Sequence, residues 1–344
     1  MSFRESPFLT AKDAEQTKGC RVKAQIKSTL RPLRIAFATS AVNGFPHYSS
    51  FIYLRFPFNR YILLVLLSLS SCLSSGAIPT GRDSTISFLP EKRIYPSVFL
   101  DPLECQMMGG SYLLNRKGSD LSLYSTVNMG FSRPVLAKQG EKFSWEFNFG
   151  VAMFSQFDLI KRQDESYLAG LLNTDFKICA DYAVGKNDNI LRLRIFHISS
   201  HLGDDYMQRH ADTLVNDKSV NYEQADLTYM RKFRSGYIYG GAGLIYTKYV
   251  FRKRFSMQAG GLMNFRSRGT VNLFTGADVK LLAENSFSPD LRTAFGINFN
   301  RKTVPLMRIW AEYYSGRLPY STIDYGRVNW FGLAMSFSIF GSGL

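Results

Sequence analysis

Leu191-Arg-Leu-Arg-Ile-Phe-His-Ile-Ser-Ser-His-Leu-Gly-Asp-Asp-Tyr206 is the stretch on which the reading of this chain turns. Leu191, Leu193 and Ile195 fall on one face of an extended strand, because side chains two apart point the same way. The same face then carries His197, Ser199 and His201, while Arg192 and Arg194 occupy the other. Gly203-Asp204-Asp205 reads as the turn that ends the strand. Three of the chain's four histidines lie between residues 197 and 210, so candidate chemistry concentrates here.

Working outward, the same period of two recurs from about residue 107 to the C-terminus. Trp145, Phe147, Phe149, Val151 and Met153 share one face, and so do Leu172, Thr174, Phe176, Ile178 and Ala180. Val271 to Val279, Leu291 to Phe299 and Phe331 to Ile339 repeat the pattern. A period sustained over so many segments is a strand signal, not a helix signal. Strands are expected near 107–116, 121–134, 143–157, 170–182, 189–202, 219–231, 236–249, 255–266, 269–282, 290–302, 306–316 and 327–340. These are longer than the roughly 5–6 residues usual in soluble sheets. They are rich in Gly and aromatics, and their polar faces carry Asn, Asp, Lys and Arg. Lipid outside and polar side chains inside fit that pattern, and a sheet that spans lipid must close on itself. The expected fold is therefore all-β: a transmembrane antiparallel β-barrel of about twelve strands, filled by its own side chains rather than open as a wide pore.

The connections agree. Lys186-Asn187-Asp188, Arg234-Ser235, Ser267-Arg268 and Thr303-Val304-Pro305 are short, as periplasmic turns are. Residues 158–169, 203–218, 283–289 and 317–326 are longer, as outer loops are, and 250–254 is the exception. This places His197, Ser199 and His201 at the outer end of an ascending strand. The last strand reaches Phe340, with Gly341-Ser-Gly-Leu344 running past it.

The front of the chain reads differently. Tyr61-Ile-Leu-Leu-Val-Leu-Leu-Ser-Leu-Ser70 follows a basic flank and precedes small residues, which makes a secretory signal too short to span a bilayer. Ser75-Gly-Ala77 fits cleavage before Ile78, and Leu69-Ser-Ser-Cys72 also resembles a lipidation box. Residues 1–77 are expected to be absent from the mature protein, residues 78–106 to form a periplasmic lead-in, and 107–340 to form the barrel. The first 60 residues supply +7 of the formal net charge of +15. Without them nothing points to nucleic acid; the expected partner is membrane lipid or lipopolysaccharide, and the sequence leaves the oligomeric state open. No Cys-x-x-Cys pair or Cys/His cluster calls for a metal, a cofactor or a disulfide framework.

A Ser hydroxyl is a weak nucleophile until a neighbouring imidazole takes its proton, and an acidic group should hold that imidazole. His197 and Ser199 are two apart on one face, with His201 beyond them and Asp204, Asp205 or Glu165 as candidate orienting acids. On the outer wall the set suits an acyl ester dissolved in the membrane. The alternatives are interfacial polar residues hydrogen-bonded to loop 203–218, or a binding site without catalysis. Arg192, Arg194, Lys177, Asp175, Asp181 and Glu146 face inward and are candidates to pair across the lumen. Gly240-Gly-Ala-Gly243 lies inside a strand and relieves curvature.

Phe196-His-Ile-Ser-Ser-His-Leu-Gly-Asp-Asp-Tyr206 resembles the signature of an outer-membrane family of unknown function. Tyr313-Tyr-Ser-Gly-Arg317 and Arg327-Val-Asn-Trp-Phe-Gly-Leu333 resemble its closing hairpin, and the resemblance covers roughly residues 88–340. It implies a signal-bearing β-barrel of Gram-negative bacteria and no established activity. The His-x-Ser element is also similar to that of outer-membrane phospholipase A and lipid A deacylase. That similarity implies His197 as base and Ser199 as nucleophile, although Ser200-His201 stands where those families continue differently.

Overall fold

The structure, a computed structural model, describes residues 86–118, 120–140, 143–161, 167–209, 220–247, 253–265, 270–301, 304–319 and 326–338. The signal and cleavage expectations, Cys72, Glu165, Phe340 and the residues after it lie outside the described residues.

A short strand β1 (Ile86–Phe88) precedes β2 (Met107–Arg116), β3 (Ser122–Lys138), β4 (Ser144–Lys161) and β5 (Tyr167–Lys186). There follow β6 (Asn189–Leu202), helix α1 (Asp204–Arg209), β7 (Val220–Phe233), β8 (Gly236–Ile245) and β9 (Phe255–Phe265). The chain continues through β10 (Val271–Leu282), β11 (Pro289–Arg301), β12 (Val304–Gly316) and β13 (Val328–Phe337). Strands β2 to β13 match the expected twelve, with β3, β4 and β5 running further than their alternation alone indicates. The turn expected at Gly203-Asp204-Asp205 is the start of α1.

Each of these strands pairs antiparallel with the next, and β13 returns to β2 with Leu333 opposite Ser111, which closes the barrel. β1 adds to the far end of β3, Ile86 opposite Lys138. Register fixes the turns. Lys186 pairs with Asn189, so the β5–β6 turn is Asn187-Asp188, with Asn187 at a positive φ of 54° that Asn tolerates. Phe233 pairs with Gly236, leaving Arg234-Ser235 as the β7–β8 turn. At the opposite end β6 and β7 are joined by residues 203–219, and β10 and β11 by 283–288. The barrel thus has a short-turn end and a long-loop end.

The faces are inverted relative to a water-soluble sheet. Leu191, Leu193 and Ile195 point outward, Arg192 and Arg194 inward. Around the wall Phe295, Phe331 and Leu333 are 57%, 58% and 64% exposed, while Glu146, Lys177, Arg292 and Glu312 are buried. An apolar belt of this extent is a membrane-facing surface. The 14 residues of β6, at about 3.3 Å each and a tilt of about 45°, rise about 33 Å, close to the hydrocarbon thickness of about 30 Å.

The lumen holds more than strand side chains. Within the stretch 78–106, expected as a periplasmic lead-in, residues 94–105 run inside the barrel. Tyr95, Val98, Phe99, Leu100, Asp101 and Glu104 are all buried. Phe99 meets Phe274 of β10 and Trp310 of β12 edge-on, ring centroids 5.5 and 4.8 Å away. The other sector is filled by Tyr314 stacked on Trp330 at 3.9 Å and by Glu312, which accepts both the Trp310 and Trp330 indole N–H groups.

Candidate functional site

Two groups of residues stand out, one in the lumen and one on the outer wall.

The lumen group is a clamp on the 94–105 segment. Its anchors are two acids, Asp101 and Glu104. Lys280 of β10 reaches Asp101 at 2.6 Å, and Arg194 reaches it at 3.1 Å. Glu104 receives Arg192 at 3.2 Å and Arg194 at 3.1 Å, and Arg194 also meets Asp226 of β7 at 2.8 Å. Backbone groups of the segment are caught as well. The Ile94 and Tyr95 amides donate to Glu146 at 2.5 and 3.1 Å, and Lys177 donates to the Leu103 carbonyl at 2.5 Å. Tyr237 donates to the Ser97 carbonyl, and Arg292 to the Leu100 carbonyl. The Arg192 guanidinium also lies over the Tyr95 ring at 4.2 Å. Charges taken out of water are tolerated only when paired and hydrogen-bonded, and the segment supplies the two acids that meet Arg192, Arg194 and Lys280. The inward residues expected to pair with one another across the lumen pair largely with this segment instead.

The outer-wall group begins with His197, Ser199 and His201, which lie on the lipid-facing side of β6 near the long-loop end. Ser199 Oγ is 2.8 Å from His201 Nε2. The His201 ring sits edge-on to Phe176 of β5, 5.9 Å between centroids. His197 Nδ1 is 2.8 Å from an oxygen of Glu223, which stands directly opposite it on β7. Two imidazole pairs therefore lie side by side, one to a hydroxyl and one to a carboxylate. Asp204 is exposed at the start of α1. Its neighbour Asp205 accepts the Leu171 amide at 2.8 Å and ties the helix to β5, and Arg209 makes a two-toothed pair with Asp158 at 3.1 Å. Ser200 points inward and donates to Asp175.

Residues 91–339 match a family model whose description is protein of unknown function (DUF1207). The chain belongs to the DUF1207 family. A comparison with curated proteins finds no match. Among solved structures the DUF1207 chain is similar to the β domain of the Bordetella autotransporter Brka, at 10% identity over 68% of this chain and 99% of that one, TM-score 0.36. It is similar to the translocator domain of autotransporter NalP from Neisseria meningitidis, at 8% identity over 81% and 97%, TM-score 0.30. A mutant of the Rh. blastica porin follows at 9% identity over 67% and 98%, TM-score 0.28. These figures concern fold alone, and the barrel of this DUF1207 protein stands on its own strand register.

Asp101, Glu104 and Glu223 are the functional candidates that sequence reading passes over. The two acids sit in a Pro-punctuated stretch with no period to give them a face. Glu223 is set by the register of β7 against β6, and residues 203–219 between them are too long to fix that register from sequence.

Proposed function

We propose that this DUF1207 chain is an outer-membrane barrel of Gram-negative bacteria that works closed, in a structural or envelope-interaction role rather than as a diffusion pore. The observation that carries the proposal is the clamp on residues 94–105. Asp101 and Glu104 are held by Arg192, Arg194 and Lys280. A solute crossing the lumen has to displace a segment bound by side chains of β4, β5, β6, β8, β10 and β11. The outer-membrane location is supported by the apolar belt, and short turns at one end with longer loops at the other fit a periplasmic and an outer face. The refolded protein in a planar bilayer is expected to be nearly silent, and the double variant Asp101→Ala/Glu104→Ala to show frequent openings. Steady, large conductance from the unaltered protein would refute the closed reading.

A second reading is favoured by one contact. Ser199 is hydrogen-bonded to an imidazole on the lipid-facing wall, which is the placement an outer-leaflet acyl hydrolase needs. Ser199 would be the nucleophile and His201, rather than the His197 that the resemblance implies, its base; His197 pairs with Glu223 instead. It ranks second because the carboxylate holds His197 and not the imidazole that meets the serine. Incubating the refolded protein with phospholipid and with lipid A tests it: ester cleavage must be lost in Ser199→Ala, and equal release from both proteins removes the reading.

A further inference from the structure

Cys105 and Cys179 are far apart in sequence and adjacent in space. Cys105 closes the lumen segment, Cys179 points inward from β5, and their sulfurs are 3.6 Å apart with both side chains buried. Gly150 lies opposite Cys179 on β4, and a Cβ there would come within 2.8 Å of the Cys179 sulfur, so the glycine leaves the thiol its space. Of the chain's four cysteines, the other two are Cys20 and Cys72, both in the region ahead of the expected cleavage. We infer that Cys105 and Cys179 form a disulfide that fastens the lumen segment to the barrel wall.

The step is a thiol–disulfide exchange. The two thiols lose two protons and two electrons and join through one S–S bond, while a disulfide-bearing oxidant of the periplasmic class takes up both and has its own disulfide reduced to two thiols. Exchange with a protein oxidant precedes closure of the barrel, because both thiols are buried afterwards; a small reagent still has a route, since Cys105 lines a cavity at the short-turn end. The inference goes beyond the closed-barrel reading, since a conducting barrel can also carry the bond; thiol state and conductance are separate readouts.

The test uses the full chain exported to an oxidising periplasm. It is denatured with an alkylating reagent present and digested without reductant. A linked peptide pair containing Cys105 and Cys179, two hydrogens lighter than the sum of its parts and released by reductant, is the expected product. Reduction of the folded protein in detergent should speed tryptic cleavage after Arg93 about tenfold, and should leave the rate in Cys179→Ser unchanged. Complete alkylation of both thiols, in the exported protein and again after incubation with oxidised glutathione, overturns the inference. That mass measurement needs no variant and decides the matter if Cys179→Ser does not fold.

A second, independent observation concerns the short-turn end. Strand β2 starts only at Met107, while β3 continues to Lys138 and β1 covers just its last residues, so the wall has a notch beside Gly130 to Ser132. A cavity of about 80 Å3 lies there, lined by Arg93, Ser97, Ser132, Arg308 and Ser336, with Phe337 among the apolar residues around it and, among the described residues, no carboxylate in its lining. The buried lumen arginines Arg192, Arg194 and Arg292 each meet a carboxylate. Arg93 meets Ser97 and Ser132, and its Nε is a buried donor without a partner among the described residues; Arg308 meets the Asn298 amide and the Phe99 ring. Two guanidiniums and several hydroxyls without an acid are the chemistry of a phosphate site. Since one water occupies about 30 Å3, the cavity suits a small oxyanion.

We propose that this notch binds a phosphate group, carried by an anionic lipid headgroup or free in solution. Detergent-purified protein is titrated with phosphatidylglycerol, with phosphatidylcholine and with inorganic phosphate, and its thermal midpoint and native mass are followed. Phosphatidylglycerol is expected to bind at least tenfold more tightly than phosphatidylcholine, and Arg93→Gln/Arg308→Met to abolish the difference. The same loss seen with inorganic phosphate alone assigns the site to a soluble anion. If the double variant does not fold, Arg93→Gln alone must weaken binding about threefold or more, with Arg93→Lys restoring part of it. Equal binding of every probe by wild type and variants overturns the proposal.

Discussion

At the scale of single residues, Arg194 shows how the lumen is held. Its guanidinium meets Asp101, Glu104 and Asp226 within 3.1 Å, all from buried positions. Removing one member of a buried ionic set leaves the remaining charges unpaired, at about 3–5 kcal/mol. Arg194→Met is therefore expected to lower the unfolding free energy of the barrel, measured by urea titration in vesicles, by that much. Arg209→Ala, which breaks a half-exposed pair with Asp158, should cost no more than about 1 kcal/mol. Equal losses from the two variants would mean the lumen network does not carry the stability assigned to it. Residues of this kind are half legible from sequence. Alternation placed Arg192 and Arg194 inward and His197, Ser199 and His201 outward, because side-chain face follows from the period of two. Partners did not follow, since they depend on register and on a segment without a period.

At the scale of elements, the twelve barrel strands were readable because each repeats apolar and polar residues over many positions. Their ends were less so: β5 runs from Tyr167 to Lys186, past the stretch where its alternation is clean. The lumen position of residues 94–105 was not legible for a related reason. Pro96 and Pro102 break any helical or strand pattern, and a chain held by side chains of other elements leaves no local signature. Glu146 makes the point testable, because it accepts both the Ile94 and Tyr95 amides. Glu146→Ala leaves the buried Tyr95 amide and the part-buried Ile94 amide unpaired, the buried one at about 1–3 kcal/mol. Limited trypsin digestion of the folded variant should then cut after Arg93 several times faster than in the wild type, while the barrel core stays resistant. An unchanged cleavage rate would show that the segment is held from elsewhere.

At the scale of the whole molecule, the decisive property is the inversion of polarity, and it predicts opposite outcomes in two solvents. Leu333 lies at mid-height of β13, opposite Ala311, which in turn pairs with Phe295, and it is 64% exposed. On a water-soluble surface, exchanging such a leucine for arginine changes stability by no more than about 0.5 kcal/mol. On a barrel wall at the bilayer midplane the same change costs about 2–4 kcal/mol, falling toward zero near the interfaces. Leu333→Arg is thus expected to destabilise the protein folded in phospholipid vesicles by about 2–4 kcal/mol. The same exchange at Leu121, 61% exposed at the long-loop end just before β3, should cost under about 1 kcal/mol. The contrast between the two positions, not either value alone, reports where the lipid lies. Identical small effects at both would mean that water faces the apolar belt, and the membrane-spanning reading would fall with it.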